Sequence, residues 1–326
     1  MGNVGGVRLW APATFLALLA LLPVYATMAN EPFYLTLFSR IMIYALAGMA
    51  LNFIMGFGGM VSFGHAFYIG LGAYSVGILA HHGIANGWIH LAAALLLCLL
   101  FATMIGAVVV RTTGMTFIMI TLAFAQMGYF LSISLKQYGG DDGLTIETRS
   151  ALGFINLANN VVLYYAIFLS LCGALWMFHR ILGARFGFCL RGIKSNERRM
   201  LALGFPTFRY KLAAYVISAL VCTLAGFFLA NFTKFASPSY MQWSVSGELI
   251  VVAVLGGMGT LFGPIVGAIV FLMLEEILQS WKPGLYPPIE DIINKHWQLV
   301  VGIFIILVVL YAKRGLYGYL VERDDK

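Results

Sequence analysis

Apolar residues in this chain gather into long runs with no polar stripe recurring every third or fourth position, the pattern of helices that are hydrophobic all round. The runs fall at about Leu9 to Met28, Tyr34 to Met55, Val61 to Ala80, Trp88 to Val110, Met115 to Leu135, Val161 to Phe178, Leu212 to Asn231, Gly247 to Leu255, Leu261 to Leu278 and Trp297 to Tyr311. About 20 apolar residues, rising 1.5 Å each in a helix, cross the roughly 30 Å hydrocarbon core of a bilayer. The pattern therefore predicts an all-α fold, a polytopic transmembrane helical bundle with about 8–10 membrane segments including glycine-broken ones. No soluble domain intervenes, so residues 1–326 read as a single transmembrane domain. One polar interruption stands apart, from Arg180 to Lys211, with eight of the twenty Lys and Arg against a single acid, Glu197.

Composition sharpens this reading. Hydrophobic residues make up 61% of the chain and charged residues 10%, with a mean hydropathy of +0.90. A soluble domain carries about 25% charge, so a water-soluble core is excluded. The net charge of +7 is concentrated in one loop, which argues against nucleic acid as a partner and for membrane lipid and a docked protein. Cys98, Cys172, Cys189 and Cys222 are scattered, without the spacing of a zinc site or a disulfide framework. The N-terminus has the Arg8, apolar run and small residues of a signal peptide, yet Leu9 to Met28 is long enough to span, and a retained first helix is expected. Counting Lys and Arg by loop puts Arg8, Arg111, the basic interruption and Lys313-Arg314 on the cytoplasmic side. The Tyr138 to Asn160 loop and the Lys282 to Lys295 loop then lie outside, and both termini are cytoplasmic; Lys234 is the one dissenter.

Three stretches carry candidate chemistry. In the basic interruption, Ser195 is placed to cap a helix from Asn196 to Leu203, with Gly204 and Pro206 ending it. Met200, Leu201 and Leu203 give that helix an apolar face, which a pure topology anchor does not need and a docking element does. Along Asn52 to Tyr74, Gly56, Gly58, Gly59 and Gly64 loosen a helix, and Ser62 and His65 stand where freed backbone groups need partners. Two readings stay open there: the segment lines a solute path, or His65 is a buried histidine holding a helix break together. Gly58-Gly-Met-Val-Ser-Phe-Gly64 is echoed by Gly256-Gly-Met-Gly-Thr-Leu-Phe-Gly263, and paired broken helices frame the path in many transporters. The candidate pathway residues are therefore Gly58, Gly59, Ser62, Gly64, His65, Thr121, Gln126, Gly256 and Gly257. Gln126, alone in its span, has the simpler alternative of bonding a neighbouring helix. Gly259, Gly263 and Gly267 read as a helix-packing face. The loop Gly139 to Leu144 offers Gly140, Asp141, Asp142 and Gly143, either as a solvated turn or as a contact for a soluble partner. Glu248, Glu275 and Glu276 sit near segment ends where they can reach the interface. Charge at mid-depth is nearly absent, which disfavours a proton-coupled carrier and favours an external energy source.

Taken together, Gly58-Gly-Met-Val-Ser-Phe-Gly-His-Ala66 with Gly72-Ala-Tyr74, Thr121-Leu-Ala-Phe-Ala-Gln126, Gly139-Gly-Asp-Asp-Gly-Leu144 and Arg191 to Lys211 followed by Leu212-Ala-Ala-Tyr-Val-Ile-Ser-Ala-Leu220 resemble the LivM family. These are permease subunits of branched-chain amino acid ABC transporters. The resemblance implies a bacterial inner-membrane permease that pairs with a second permease, most simply as a heterodimer. It also implies two cytoplasmic ATP-binding subunits and a periplasmic substrate-binding protein. ATP is then used by the partner subunits, and this chain, which has no Gly-x-x-x-x-Gly-Lys-Ser/Thr, binds no cofactor and is not an enzyme. By the same resemblance, residues 180–211 form the cytoplasmic coupling loop, with Asn196, Glu197, Arg198, Arg199, Ala202, Gly204 and Phe205 at the ATPase. Asp142 and Cys222-Thr-Leu-Ala-Gly226 depart slightly from the family pattern. The family also includes urea and amide permeases, so the solute is open within it. A stand-alone secondary carrier is the reading from another class; it would need His65 or Glu248 as its titrating group.

Overall fold

The computed structural model describes residues 6–28, 31–152, 155–280, 297–311 and 315–322. In chain order, the described helices are α1 (Gly6–Met28), α2 (Pro32–Asn52), α3 (His65–His81), α4 (Gly87–Val109), α5 (Met115–Ser134), α6 (Asn160–Gly183), α7 (Arg185–Ser195), α8 (Glu197–Ala202), α9 (Thr207–Thr233), α10 (Trp243–Gly256), α11 (Gly263–Ser280), α12 (Trp297–Tyr311) and α13 (Gly315–Glu322). A π-helical turn, Phe53–Phe57, continues α2. Strands are confined to two-residue pairs: β1 (Leu144–Thr145) runs antiparallel to β4 (Phe235–Ala236), and β2 (Ala151–Leu152) to β3 (Ile155–Asn156). The fold is all-α, as the runs predict.

Helix starts follow local chemistry. Pro32 stands in the first turn of α2, where its missing N–H costs nothing. The Asn86 and Asn159 side chains cap α4 and α6, accepting from Trp88 N at 3.0 Å and Val161 N at 2.9 Å. Among the described residues, six stretches are long and apolar enough to cross a membrane: Pro32–Phe57, α4, α5, α6, α9 and α11. Shorter apolar stretches lie in α1 (Phe15–Ala26), α10 and α12 (Gln298–Val308).

Three sequence expectations change. The predicted run from Val61 to Ala80 starts with non-helical chain, and its helix begins at His65. The basic interruption is no loop with one helix: α6 runs on to Gly183, α7 and α8 follow, and α9 starts at Thr207. Ser195 closes α7, while Asn196, extended at φ −160° and ψ 98°, is the N-cap of α8. The charges and prolines from Lys282 to Lys295 and the pair Lys313-Arg314 fall outside the described residues.

The core is built around α9, which packs along α2, α3 and α4. Lipid gives apolar helices no hydrophobic reason to associate, so close backbone contact and hydrogen bonds must supply it. Gly72 of α3 lies against the backbone of Thr223 and Phe227, and Gly226 of α9 against that of Ile69. A side chain at either glycine would push the two helices apart. Burial separates centre from rim: the apolar windows of α2 and α9 are 83% and 67% buried, those of α4 and α5 only 33% and 28%.

Candidate functional site

The two glycine-rich breaks meet. Gly56, in the π-turn after α2, lies against Gly259 in the turn between α10 and α11, so closely that a methyl group there would come within 2.8 Å of Gly259 Cα. Asn52, fully buried, stitches the two breaks together: its amide nitrogen donates to Thr260 O at 2.7 Å, and its oxygen accepts from Gly259 N at 3.0 Å. Thr260 Oγ1 donates to Gly257 O at 2.8 Å and accepts from Gly263 N at 3.1 Å, which closes the turn and starts α11. Gly257 and Gly259 take the left-handed side of backbone space, φ +120° and +79°. Gly263 and Gly267 do pack against α10, as expected, but Gly259 serves the turn instead.

From Ser62 onward the first break is sealed by polar side chains. His65 Nε2 lies 2.8 Å from Ser218 Oγ, whose proton goes to Ala50 O. Ser218 therefore accepts from the imidazole, and Nδ1 is left to accept from Ser62 Oγ at 3.1 Å. Ser62 Oγ also accepts from Gly64 N at 3.1 Å. Phe63 N donates to Thr121 Oγ1 at 3.1 Å, Ala66 N to Ser246 Oγ at 2.9 Å, and Cys222 Sγ to His65 O at 3.3 Å. One short segment is thus tied to α5, α9 and α10, and through Ser218 to α2. Ser62, His65 and Thr121 have no exposed surface, the geometry of a structural histidine and its partners. Gly58 and Gly59 differ, because they line a cavity of about 310 Å³ together with Thr112, Lys194, Glu197 and Lys211. Gly256 and Gly257 are buried, and Gly315 at the start of α13 lies against them. Gln126 does not make the helix-to-helix bond that a lone glutamine suggests: its amide nitrogen is buried and has no partner among the described residues.

The basic segment presents a different surface. Asn196 Oδ1 accepts from Arg199 N at 2.9 Å, and Gly204, at φ +84°, turns the chain out of α8. Arg198, Arg199, Ala202 and Gly204 are exposed, and so are the apolar Leu201, Leu203 and Phe205, at 54%, 66% and 37%. Glu197 faces inward: its carboxylate meets Lys211, a buried lysine near the start of α9, at 2.7 Å. Lys194 at the end of α7 donates to Gly56 O.

At the opposite end, Gly140 is buried and Asp141 and Asp142 are exposed. Gly143, at φ +78°, lies 2.8 Å from Ala236 O at its would-be Cβ, so this loop is pinned to β4. In the same half, Glu275 pairs with Arg40 of α2 at 3.2 Å.

Sequence reasoning passed over Asn52, Lys194, Ser218 and Arg40. For Asn52 and Arg40 the available signal was a single amide or cation in an apolar run, which must find a partner inside the bundle; Lys194, in the basic segment, and the hydroxyl of Ser218 gave none.

Helices of spanning length, a buried polar knot joining two broken segments, and an exposed basic appendage at one end define a multi-pass membrane protein. The family described as branched-chain amino acid transport system, permease component, matches residues 33–310, and the chain belongs to it. It is 25% identical over 299 residues to the high-affinity branched-chain amino acid transport system permease protein LivM of Escherichia coli (strain K12), covering 84% of this chain and 68% of that one. It is 24% identical over 294 residues to LivH, the high-affinity branched-chain amino acid permease of the same organism, covering 84% of this chain and 91% of that one. The autoinducer 2 import system permease protein LsrC of Enterobacter sp. (strain 638) is 24% identical over 289 residues, covering 83% and 79%. No solved structure matches the chain.

Proposed function

We propose that this chain is the membrane-spanning permease subunit of an ATP-driven ABC importer for branched-chain or related hydrophobic amino acids, without an ATPase of its own. The observation that carries the reading is the family match over residues 33–310, joined to an exposed apolar and basic tip on the basic segment. In this reading the tip, from Asn196 to Phe205, seats on a cytoplasmic ATP-binding subunit. Leu201, Leu203 and Phe205 enter a groove there, and Arg198 and Arg199 meet acids at its rim. Both termini then lie in the cytoplasm, and a binding protein meets the end that carries Asp141 and Asp142.

Similarity to both LivM and LivH supports a pair of sister permeases with the solute path between them. The face for the second permease is α5. Its exposed side carries Thr116, Met119, Met127 and Phe130, with the unpartnered Gln126 amide nearby, whereas α4 exposes Leu96, Leu97, Leu99 and Leu100, a surface suited to lipid.

The test is to purify the tagged chain with whatever accompanies it and measure solute uptake into proteoliposomes. ATP-dependent uptake of leucine, isoleucine or valine, with ATP-binding subunits and a second permease in the preparation, supports the proposal. Uptake by the chain alone, indifferent to ATP and abolished by a protonophore, overturns it. The likeness to an autoinducer 2 permease makes a panel of other solutes, urea and short amides among them, part of the same experiment.

A further inference from the structure

The basic segment packs on the core through α7, whose Leu190 and Ile193 are buried, and two charged contacts to the core flank its corner. The corner is Ser195-Asn196, where α7 ends and α8 begins. On the α8 side, Glu197 meets Lys211 and so holds the segment to α9. On the α7 side, Lys194 reaches into the glycine knot and donates to Gly56 O. That carbonyl follows the last bonds of the π-turn, in which Ile54 O and Met55 O accept from Met60 N at 3.0 Å and Gly59 N at 3.2 Å. Gly56 O is the next acceptor along, and an ammonium suits it because the negative end of a helix dipole favours a cation.

Two further features make this a built contact. Gly59, at φ +71°, carries no side chain where the lysine stem passes; a methyl group there would lie 3.0 Å from Lys194 Cγ. The 310 Å³ cavity lies beneath the corner, walled by Gly58, Gly59, Lys194, Glu197 and Lys211. Two charged contacts thus flank the cavity on either side of the corner, while Leu190 and Ile193 pack α7 against the core. Beyond Gly56, Asn52 joins the same knot to the α10–α11 turn.

We infer that Lys194 is the positioning residue that carries displacement of α8 into the glycine knot, and through Asn52 into α10 and α11. This rests on the importer reading above. Pulling α8 moves the ammonium, the ammonium moves the Gly56 carbonyl, and the two broken segments shift together because Asn52 holds both.

The experiment is the ratio of ATP hydrolysed to solute accumulated, in the reconstituted complex with its binding protein. Lys194→Met keeps the stem over Gly59 and removes the donor; the ratio is expected to rise about five-fold, as loss of one charge-assisted bond at a partly solvated site would give. Lys194→Arg restores a donor and is expected to return the ratio toward wild type. Lys194→Met combined with Ser195→Lys restores the loop charge but places it one residue away, and the ratio is expected to stay high. An unchanged ratio in Lys194→Met, or full recovery in that double variant, overturns the inference while leaving the importer reading intact. If Lys194→Met does not assemble, Lys194→Leu, which also lacks a donor, is read the same way. A wild-type complex without ATP-driven uptake of any solute overturns the importer reading, and the inference falls with it.

Discussion

The two ends of the bundle are built on opposite plans. At the end away from the basic segment, the polypeptide between α5 and α6 is woven into its neighbours. The Arg149 guanidinium donates to Ala158 O at 3.1 Å, Asn160 Oδ1 at 2.6 Å and Phe232 O at 3.4 Å. Ser150 N donates to Asn231 Oδ1 at 2.9 Å, and His90 sits 2.7 Å from both Ser150 Oγ and Ile84 O. β1 pairs with β4, and Ala151 bridges to Asn86. At the basic end, by contrast, α7 packs Leu190 and Ile193 inward, but α8 buries none of its residues and is tied to α9 by the Glu197–Lys211 ion pair. A web of hydrogen bonds braces one end; a helix with no buried residue, tied by an ion pair, has less to hold it in place. The difference indicates where motion enters the molecule.

The largest expected effect comes from the knot on which the mobile end acts. Gly56→Val would drive a branched side chain against Asn52 Oδ1, 2.6 Å from the would-be Cβ, and the Gly259 backbone. It should destabilise the chain by about 3 kcal/mol, seen as a lower unfolding midpoint in detergent. An unchanged midpoint would mean that the two breaks are not packed on one another. Next is the woven end. Arg149→Met removes a guanidinium shared by several carbonyls and should cost about 2 kcal/mol locally. Hydrogen exchange should quicken from residue 144 to 152 and stay as it was from 193 to 203. Equal quickening at both would break the contrast between the ends.

How much of this the chain discloses before folding depends on the kind of contact. Apolar runs long enough to span are legible because length and composition suffice, and α5 and α9 lie close to where the runs place them. The echo between the two glycine clusters was visible as spelling, and the structure puts the clusters in contact through Asn52. What spelling could not convey is which residue joins them, since residue 52 and residue 260 are brought together only by the crossing of α2 with the α10–α11 turn. Ser195 illustrates a local failure. Serine and asparagine are both good N-caps, and the choice falls to Asn196 because α7 absorbs Ser195 as its last residue. His65 kept two readings open in sequence because its fate depends on Ser218, a distant residue on α9. Glu197 looked like part of an exposed docking face until its partner Lys211 was known.

A smaller effect should follow from Asn196→Ala. The cap bond to Arg199 N is lost, worth about 1 kcal/mol of helix stability, and the amides of α8 should exchange faster while the global midpoint holds. A fall in the midpoint would mean that α8 is bound to the core more firmly than its ion pair with Lys211 implies.

The smallest effect on stability is the most telling for function. Leu203 is 66% exposed in this chain, as is Leu96 on α4. Replacing an exposed side chain moves folding stability by no more than about 0.5 kcal/mol, so Leu203→Ser should leave the midpoint where it is. If α8 seats in a groove of an ATP-binding subunit, the same change removes a buried anchor from that interface and co-purification of the subunit should drop several-fold. Leu96→Ser, at equal exposure on the lipid-suited face, should leave co-purification unchanged. Equal loss from both variants would mean that neither surface is specific, and retention in both would remove Leu203 from the docking face.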